Sequence, residues 1–306
     1  MTTTSTLGSS TDEALRHFPL RAILLPTDFS AASEHAAMLA RVFAERYGAK
    51  LYVVHTVWDK DSYWVDTNFQ LASDPERGRK ETEKFVTDMQ LDRLPHEVVV
   101  EAGSILETGN RLINEKGIDL VILGTAGMHG AKKLFFGSNA EQIFRTVRCP
   151  VLTIGPHVPA EKCRGEFHHI LFSTDFDYET ADALPYAAEI ARKYDAHITL
   201  LHVIDAPHHT HSEKIYAQEE FRRAQLLQMF AKCEVEVPHK PEVIVETGEA
   251  AEEIVKIAIG IGADMIVMGV HPAEHGAARS HALRGHAYPV SVNAHCPVLT
   301  IRPQQL

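Results

Sequence analysis

Residues 23–57 read ILLPTDFSAASEHAAMLARVFAERYGAKLYVVHTV, and residues 170–204 read ILFSTDFDYETADALPYAAEIARKYDAHITLLHVI. The two stretches align without a gap at an offset of 147 residues, which matches Asp28 with Asp175 and His55 with His202. The similarity continues to the end of each copy, where CPVLTI occurs at residues 149–154 and again at 296–301. The chain therefore contains two tandem copies of one unit.

Each copy alternates short β-branched apolar runs with longer segments whose apolar residues recur three and four positions apart. In the first copy this pattern predicts strands near 21–27, 51–57, 97–101, 119–124 and 150–154, and helices near 31–47, 76–92, 104–116 and 138–147. Runs such as DLVILG lack polar alternation, which is typical of parallel strands covered by helices on both faces. The prediction is an α/β protein of two tandem flavodoxin-like (Rossmann-like) doubly wound domains, each with a five-stranded parallel sheet in the order 3-2-1-4-5.

The repeat also sets the expected domain boundaries. We expect a flexible N-terminal segment at 1–18, a first domain at 19–157, a linker at 158–166 and a second domain at 167–306. The linker falls in the sequence GPHVPAEKCRG, whose prolines and glycines are typical of a connection between domains.

Composition narrows the class of protein. The 306 residues are 45% hydrophobic and 23% charged, which suits a globular chain with a sizeable core. The formal net charge of -11 argues against a nucleic-acid partner. Apolar runs fall short of the roughly 18 residues of a membrane helix, and the N-terminus is polar, unlike a signal peptide. We therefore expect a cytoplasmic protein without a membrane association.

A glycine-rich segment follows the fourth predicted strand of the first copy, GTAGMHGAKKLFFGSNA from Gly124 to Ala140. In a sheet of order 3-2-1-4-5, the ligand crevice lies between the ends of strands one and four, which here carry Asp28 and Gly124. Glycine lets the backbone turn sharply and approach a ligand, and Ser138 opens a helix whose first N–H groups favour an anion such as phosphate. The alternative is that the glycines merely form a surface loop.

The spacing of Gly124, Gly127, Gly137 and Ser138, together with PTDFS at 26–30 and His55, resembles the universal stress protein family in its ATP-binding branch. The resemblance covers both copies. It implies that the first domain binds ATP, with or without Mg²⁺, and that the protein acts in stress response or signalling. The residues implied to bind the nucleotide are Pro26, Thr27, Asp28, Thr56, Gly124, Gly127, Gly130, Gly137, Ser138 and Asn139. Asn139 departs from the small or β-branched residue that the family usually has after the serine.

The second copy departs further from this pattern. Its corresponding segment begins GVHPAEHG at Gly269, so that Pro272 stands where the first copy has Gly127. Proline has no backbone N–H and a fixed φ, and so cannot replace that glycine. Two extra residues precede Cys296, and alignment back from that cysteine places Arg284 opposite Gly137. We therefore expect a degenerate nucleotide loop in the second domain and about one ATP per chain.

Two other functions remain open from the sequence. ATP bound in this way implies at most slow turnover by an ATPase or phosphotransferase, because the chain has no GK[ST] phosphate loop. A scaffold that acts through its paired domains, without a nucleotide, is a further alternative. The sequence leaves enzyme activity undecided, and no catalytic residue is assigned.

Several polar residues have both a structural and a chemical interpretation. His55 and His202 are expected to be hydrogen-bonded structural residues, and Asp28 and Asp175 are candidates for helix caps. Imidazoles at short spacing can bind a metal ion, but surface imidazoles are also common, and the expectation is no metal site. The histidines concerned are His208, His209, His211, His271 and His275.

The last strand of each copy predicts how the domains meet. In the order 3-2-1-4-5 it lies at the edge of its sheet, and a bare apolar edge favours pairing with another edge. Relatives in the family commonly pair through this strand. We expect Val151–Ile154 to meet Val298–Ile301 within the chain, as an intrachain pseudo-dimer, so that a homodimer would use a different surface.

Overall fold

The computed structural model describes residues 18, 20–57, 74–125, 138–177, 181–205, 213–270 and 286–302. In the first half, helices and strands alternate as β1 (Ala22–Pro26), α1 (Ala31–Tyr47), β2 (Lys50–Val57), α2 (Pro75–Asp88), β3 (His96–Ala102), α3 (Ile105–Lys116), β4 (Leu120–Gly124), α4 (Ser138–Thr146) and β5 (Val151–Ile154). The second half follows as β6 (His169–Ser173), α5 (Leu184–Tyr194), β7 (His197–Ile204), α6 (Glu213–Lys232), β8 (Glu242–Thr247), α7 (Ala250–Gly260), β9 (Met265–Gly269), α8 (Ala287–Asn293) and β10 (Val298–Ile301).

All ten strands belong to one sheet, in the order β3-β2-β1-β4-β5-β10-β9-β6-β7-β8. Read from each outer edge towards the centre, each half has the order 3-2-1-4-5, and its strands run parallel. The predicted fold class and strand order are confirmed.

The two halves join through an antiparallel pair of strands, β5 and β10. Leu152 lies opposite Leu299 at the centre of this pair. On either side, the hydroxyl of Thr153 donates to the carbonyl of Val298 at 3.2 Å, and that of Thr300 donates to the carbonyl of Val151 at 3.2 Å. The expected pairing of the last strands is thus present within the chain, with local two-fold symmetry.

Two apolar layers cover the two faces of the sheet, and each extends across both halves. One layer packs side chains of α1, α2, α5 and α6 against the sheet, and the other packs side chains of α3, α4, α7 and α8. Strands buried on both faces explain why the β-runs in the sequence are continuously apolar. The joint between the halves is therefore part of a common core.

The segment between the two halves is also packed into this core. Val158, Cys163 and Phe167 are buried, and the ring of Phe167 lies 5.9 Å from that of Phe43 in α1. Phe18 at the N-terminal side is buried as well, with its ring 5.0 Å from that of Tyr186 in α5. The aromatic residues that precede β1 and β6 thus connect the halves on the α1 and α5 side.

One helix is shorter than its pattern predicts. The helix expected near 76–92 ends at Asp88, because Gln90 adopts a left-handed conformation with φ of 58°. A left-handed residue interrupts the hydrogen-bond ladder of a right-handed helix. Residues 91–93 then form a separate 3-10 turn that leads into β3.

Candidate functional site

The crevice of the first half lies at the carboxyl ends of β1 and β4. The chain crosses from β1 to β2 and β3 on one side and returns to β4 on the other side of β1. The strand order reverses between β1 and β4, and open α/β sheets bind ligands at such a point. Pro26 ends β1 and Gly124 ends β4, so two of the sequence-predicted site residues border the reversal.

A tight turn after β1 fixes Asp28. The residue that follows, Phe29, has a left-handed φ of 62°, and its N–H donates to the hydroxyl of Thr27 at 3.1 Å. Asp28 Oδ1 accepts the N–H of Ser30 at 3.0 Å and the hydroxyl of Ser33 at 2.7 Å. These bonds hold the Asp28 carboxylate at the start of α1.

The N-cap of α1 is Ser30, whose hydroxyl accepts the N–H of Ser33 at 3.3 Å. The interpretation of Asp28 as a helix cap is therefore wrong, because the cap lies two residues later. Sequence reasoning also missed Ser30 and Ser33. Serine is among the residues preferred at an N-cap, which could have indicated Ser30, whereas serine at N3 is not the Glu or Gln of a capping box.

His55 supports the same turn from β2. Its Nδ1 lies 2.9 Å from the carbonyl oxygen of Thr27, and its ring lies 4.5 Å from that of Phe29. A carbonyl oxygen only accepts, so Nδ1 must carry the proton and donate it. The structural interpretation of His55 is confirmed. The next residue, Thr56, is half-buried and pairs with Glu101 of β3 at the same edge.

Gly124 is required by the packing of α1. A Cβ added at Gly124 would lie 2.7 Å from the Cβ of Ala32 and closer still to the Ala32 carbonyl. Real Cβ atoms do not approach backbone this closely, so only glycine lets the first turn of α1 pack onto the end of β4. This close approach of helix to strand brings the Asp28 turn beside the start of the glycine segment.

The remainder of the glycine segment is described only at its ends. Thr125 is buried, and its N–H and hydroxyl both donate to the carbonyl of Ile154. Ser138 and Asn139 form the first turn of α4. The predicted site residues Gly127, Gly130 and Gly137 lie outside the described residues.

The second half repeats the turn with the same geometry. Phe176 has a φ of 67°, and its N–H donates to the hydroxyl of Thr174 at 3.0 Å. His202 donates from Nδ1 to the carbonyl of Thr174 at 2.9 Å, and burial lowers the pKa of this histidine. The structural interpretation of His202 is confirmed.

Asp175 closes this second turn rather than capping a helix. Its Oδ1 accepts the N–H of Asp177 at 3.0 Å. The next residue, Phe176, is left-handed, so a right-handed helix does not start directly after Asp175. The prediction that Asp175 caps the following helix is therefore wrong.

The described part of the chain also bears on metal binding and thiol chemistry. It contains no group of three histidine, cysteine or carboxylate side chains placed to hold a metal ion. His208, His209, His211, His271 and His275 lie outside that part. Burial raises the pKa of the thiols of Cys149, Cys163 and Cys296 to about 12, so these thiols stay protonated in the core. In the same described ranges, no helix has both the length and the apolar character needed to span a membrane.

These features define a class: a tandem pair of doubly wound α/β domains joined edge to edge, each with a crevice at its strand-order reversal. The sequence model of the universal stress protein family matches residues 19–155 and again 166–302. The chain belongs to the universal stress protein family, with two copies of its domain in tandem.

Individual relatives agree with this assignment. The chain is 31% identical over 140 residues to a universal stress protein of Thermus aquaticus, covering 44% of this chain and 98% of the relative. It is 26% identical over 141 residues to one of Methanocaldococcus jannaschii, covering 43% of this chain and 80% of the relative. A crystal structure of a universal stress protein from Archaeoglobus fulgidus matches with a TM-score of 0.66 at 20% identity, covering 92% of this chain and 98% of that one. At that identity the match establishes the shared fold.

Proposed function

We propose that the first domain, residues 19–157, binds one ATP in the crevice between β1 and β4, and that the protein acts in stress response or signalling through this binding. The second domain, residues 167–306, keeps the scaffold and has lost the nucleotide site. One observation carries the proposal: the turn beside the crevice is the same in both halves, whereas the glycine sequence that follows β4 is absent after β9.

The described residues suit a nucleotide at two points. The glycine segment ends where α4 begins, and the first N–H groups of a helix have no intrahelical partners and favour a phosphate. The Asp28 carboxylate is held on the other side of the crevice, where a carboxylate can accept hydrogen bonds from ribose hydroxyls or an adenine amine. In this proposal Pro26, Thr27, Asp28 and Thr56 surround adenine and ribose, and Gly124, Gly127, Gly130, Gly137, Ser138 and Asn139 surround the phosphates.

Calorimetric titration of the full chain with ATP tests the proposal, with and without Mg²⁺. We expect about one site per chain. The change Gly127→Pro imitates Pro272 and should abolish the site, because it removes a backbone donor and fixes φ. A matched pair of controls follows from the repeat: Asp28→Asn should weaken binding, and Asp175→Asn should leave it unchanged. Two equivalent sites per chain, or equal loss from both aspartate changes, would contradict the proposal.

The same preparation separates binding from turnover. In a binding module, phosphate release should stay well below the typical enzyme rate of about 10 per second. Steady release at such a rate, lost with Ser138→Ala, would favour the ATPase alternative instead.

A further inference from the structure

A groove of about 580 Å³ lies on the outer surface of the second half, between α7 and α8. Its apolar lining comes from Ala251, Val255 and Ile259 of α7 and from Pro289 of α8. Ile259 is 53% exposed, although isoleucine is among the residues most often buried. Sites for small molecules are concave and mostly apolar, with volumes of roughly 300–1,000 Å³, so the groove is large enough to hold a ligand.

The corresponding surface of the first half is polar. Glycines with positive φ flank both α3 and α7, which aligns these two helices at an offset of 145 residues, and α4 aligns with α8 at the offset of 147 residues. Three amide side chains of the first half are thereby replaced by apolar residues in the second: Asn110 by Val255, Asn114 by Ile259, and Gln142 by Pro289. The apolar lining is therefore specific to the second half and is not a feature of the domain scaffold.

One end of the groove, where α7 begins, is acidic. Glu249 caps α7, and its carboxylate accepts the N–H of Glu252 at 2.8 Å. His286 Nδ1 lies 3.8 Å from Glu249 Oε1, beyond hydrogen-bond distance. Glu252 is exposed and has no ion-pair partner among the residues that the structure describes. Both carboxylates can therefore accept hydrogen bonds from a ligand.

The lysine in the lining does not balance these two charges. Lys256 already binds the buried carboxylate of Glu253, with Nζ at 2.9 Å and 3.1 Å from its two oxygens. The N-terminus of a helix contributes roughly half a positive charge, which is less than the charge of one carboxylate. Glu249 and Glu252 together therefore leave this end of the groove negative, and a group bound beside them is more stable as a cation than as an anion.

We propose that this groove binds a small amphipathic cation, which has an apolar chain and one ammonium group. The chain lies along α7 over Val255 and Ile259, and the ammonium lies beside Glu249 and Glu252. From Glu252 to Ile259 the groove is about 10 Å long at 1.5 Å per residue, which accommodates an octyl chain. The groove lies in the second half, whereas the crevice between β1 and β4 lies in the first, so this binding does not depend on the proposed nucleotide site.

Three probes with the same tail separate the effect of charge from that of apolar contact: octylammonium, 1-octanol and octanoate. Ligand-observed NMR titration measures the affinity of each for the full chain, and the methyl signals of Ile259 locate the binding. Octylammonium should bind at least about tenfold more tightly than octanoate, with octanol between them. The reason is that two unit charges about 4 Å apart in water attract or repel each other by a factor of roughly five in the equilibrium constant.

The repeat supplies matched variants for this titration. Val255→Asn and Ile259→Asn imitate Asn110 and Asn114, and each should weaken the binding of octylammonium and of octanol alike, by roughly fivefold, because apolar contact is lost. Glu252→Gln keeps the shape of the side chain and should reduce only the preference for octylammonium over octanol. The control is Asn114→Ile, which adds an isoleucine to the first half without the other apolar residues of the groove and should leave the affinity for octylammonium unchanged.

Ile259→Asn should not disturb the fold, because the side chain at this position is largely exposed, and its thermal unfolding should stay close to that of the unchanged chain. Equal affinity for the three probes would overturn the proposal that the ligand is a cation. Binding that survives both asparagine changes would place the probes elsewhere on the chain and would overturn the proposed site. The same conclusion would follow if Asn114→Ile strengthened binding as much as Ile259→Asn weakened it.

Discussion

The turns after β1 and β6 have the same hydrogen bonds, yet the sequences that follow β4 and β9 differ. In both, a histidine donates to a threonine carbonyl at 2.9 Å, and its ring lies 4.5 Å from a left-handed phenylalanine. After the first turn, α1 begins at once behind Ser30, and in the second half residues 178–180, which follow the turn, lie outside the described part of the chain. The turn therefore belongs to the scaffold, and its presence does not identify a ligand site.

A second contrast lies at the opposite ends of the strands. In the first half, Lys50 and Lys116 both bind Glu97, at 2.7 Å and 3.1 Å. In the second half, His197 replaces Lys50 at the start of β7, and its ring stacks on that of His239 with centroids 4.0 Å apart. The first half thus has an ion-paired cluster at this edge, and the second half has a stacked pair of imidazoles.

The largest expected effect is a loss of stability from substitutions at the β5–β10 joint, and it tests whether both halves contribute equally there. Leu152 and Leu299 face each other across the β5–β10 pair and are both fully buried in the same core. Leu152→Ala and Leu299→Ala should each lower the free energy of unfolding by about 2–5 kcal/mol, through lost burial and a cavity. Chemical denaturation checks this.

The double change at these two positions sharpens the test. Because the residues are opposite one another in the sheet, the two losses should differ from additivity by at least about 0.5 kcal/mol. Strict additivity of the two losses in free energy of unfolding would show that the two leucines are not coupled across the joint. A much smaller loss from one of the two substitutions would show that the halves contribute unequally.

The repeat made most of the fold predictable. Strand order, the parallel arrangement and the β5–β10 pairing follow from apolar periodicity and from an edge strand that must be covered. The sequence left the role of Asp28 open between helix cap and ligand contact, and only the three-dimensional turn shows that Ser30 caps α1. The contact of Gly124 with Ala32 was also missed, because packing between residues distant in sequence leaves no local pattern.

A smaller effect is expected where the first turn of α1 packs on the end of β4. Gly124→Ala would force its Cβ against the backbone of Ala32, so α1 must shift, at a cost of about 1–3 kcal/mol. The matched control is Gly109→Ala in α3, where the nearest atom, on Leu24, is 3.7 Å away.

Because alanine favours a helix more than glycine does, Gly109→Ala should stabilise the chain by about 0.5–1 kcal/mol. Thermal unfolding of both variants gives the comparison. If Gly124→Ala also stabilised the chain, the glycine would not be required by the packing of α1.

The smallest expected effect concerns pH and the histidine edge of the second half. Burial is the main cause that lowers the pKa of His169 below 6.5, aided by the nearby His197 and opposed by Glu242 and Asp264. The folded chain then binds this proton less readily than the unfolded chain does. Stability should therefore fall as the pH drops from 7 through 6.5, and level off below the lowered pKa. His202 adds a contribution of the same sign.

The change His169→Ala tests this, because the first half has Ala22 at the same position. The variant should lose less free energy of unfolding between pH 7 and pH 5 than the unchanged chain does. The ion pairs of Glu97 do not contribute to this difference. Hydrogen bonds from Lys50 and Lys116 lower the pKa of Glu97 below 4.5, so the stability that these pairs provide is lost only at lower pH. If the free energy of unfolding had the same pH dependence in His169→Ala and in the unchanged chain, His169 would not contribute to a difference between the two halves.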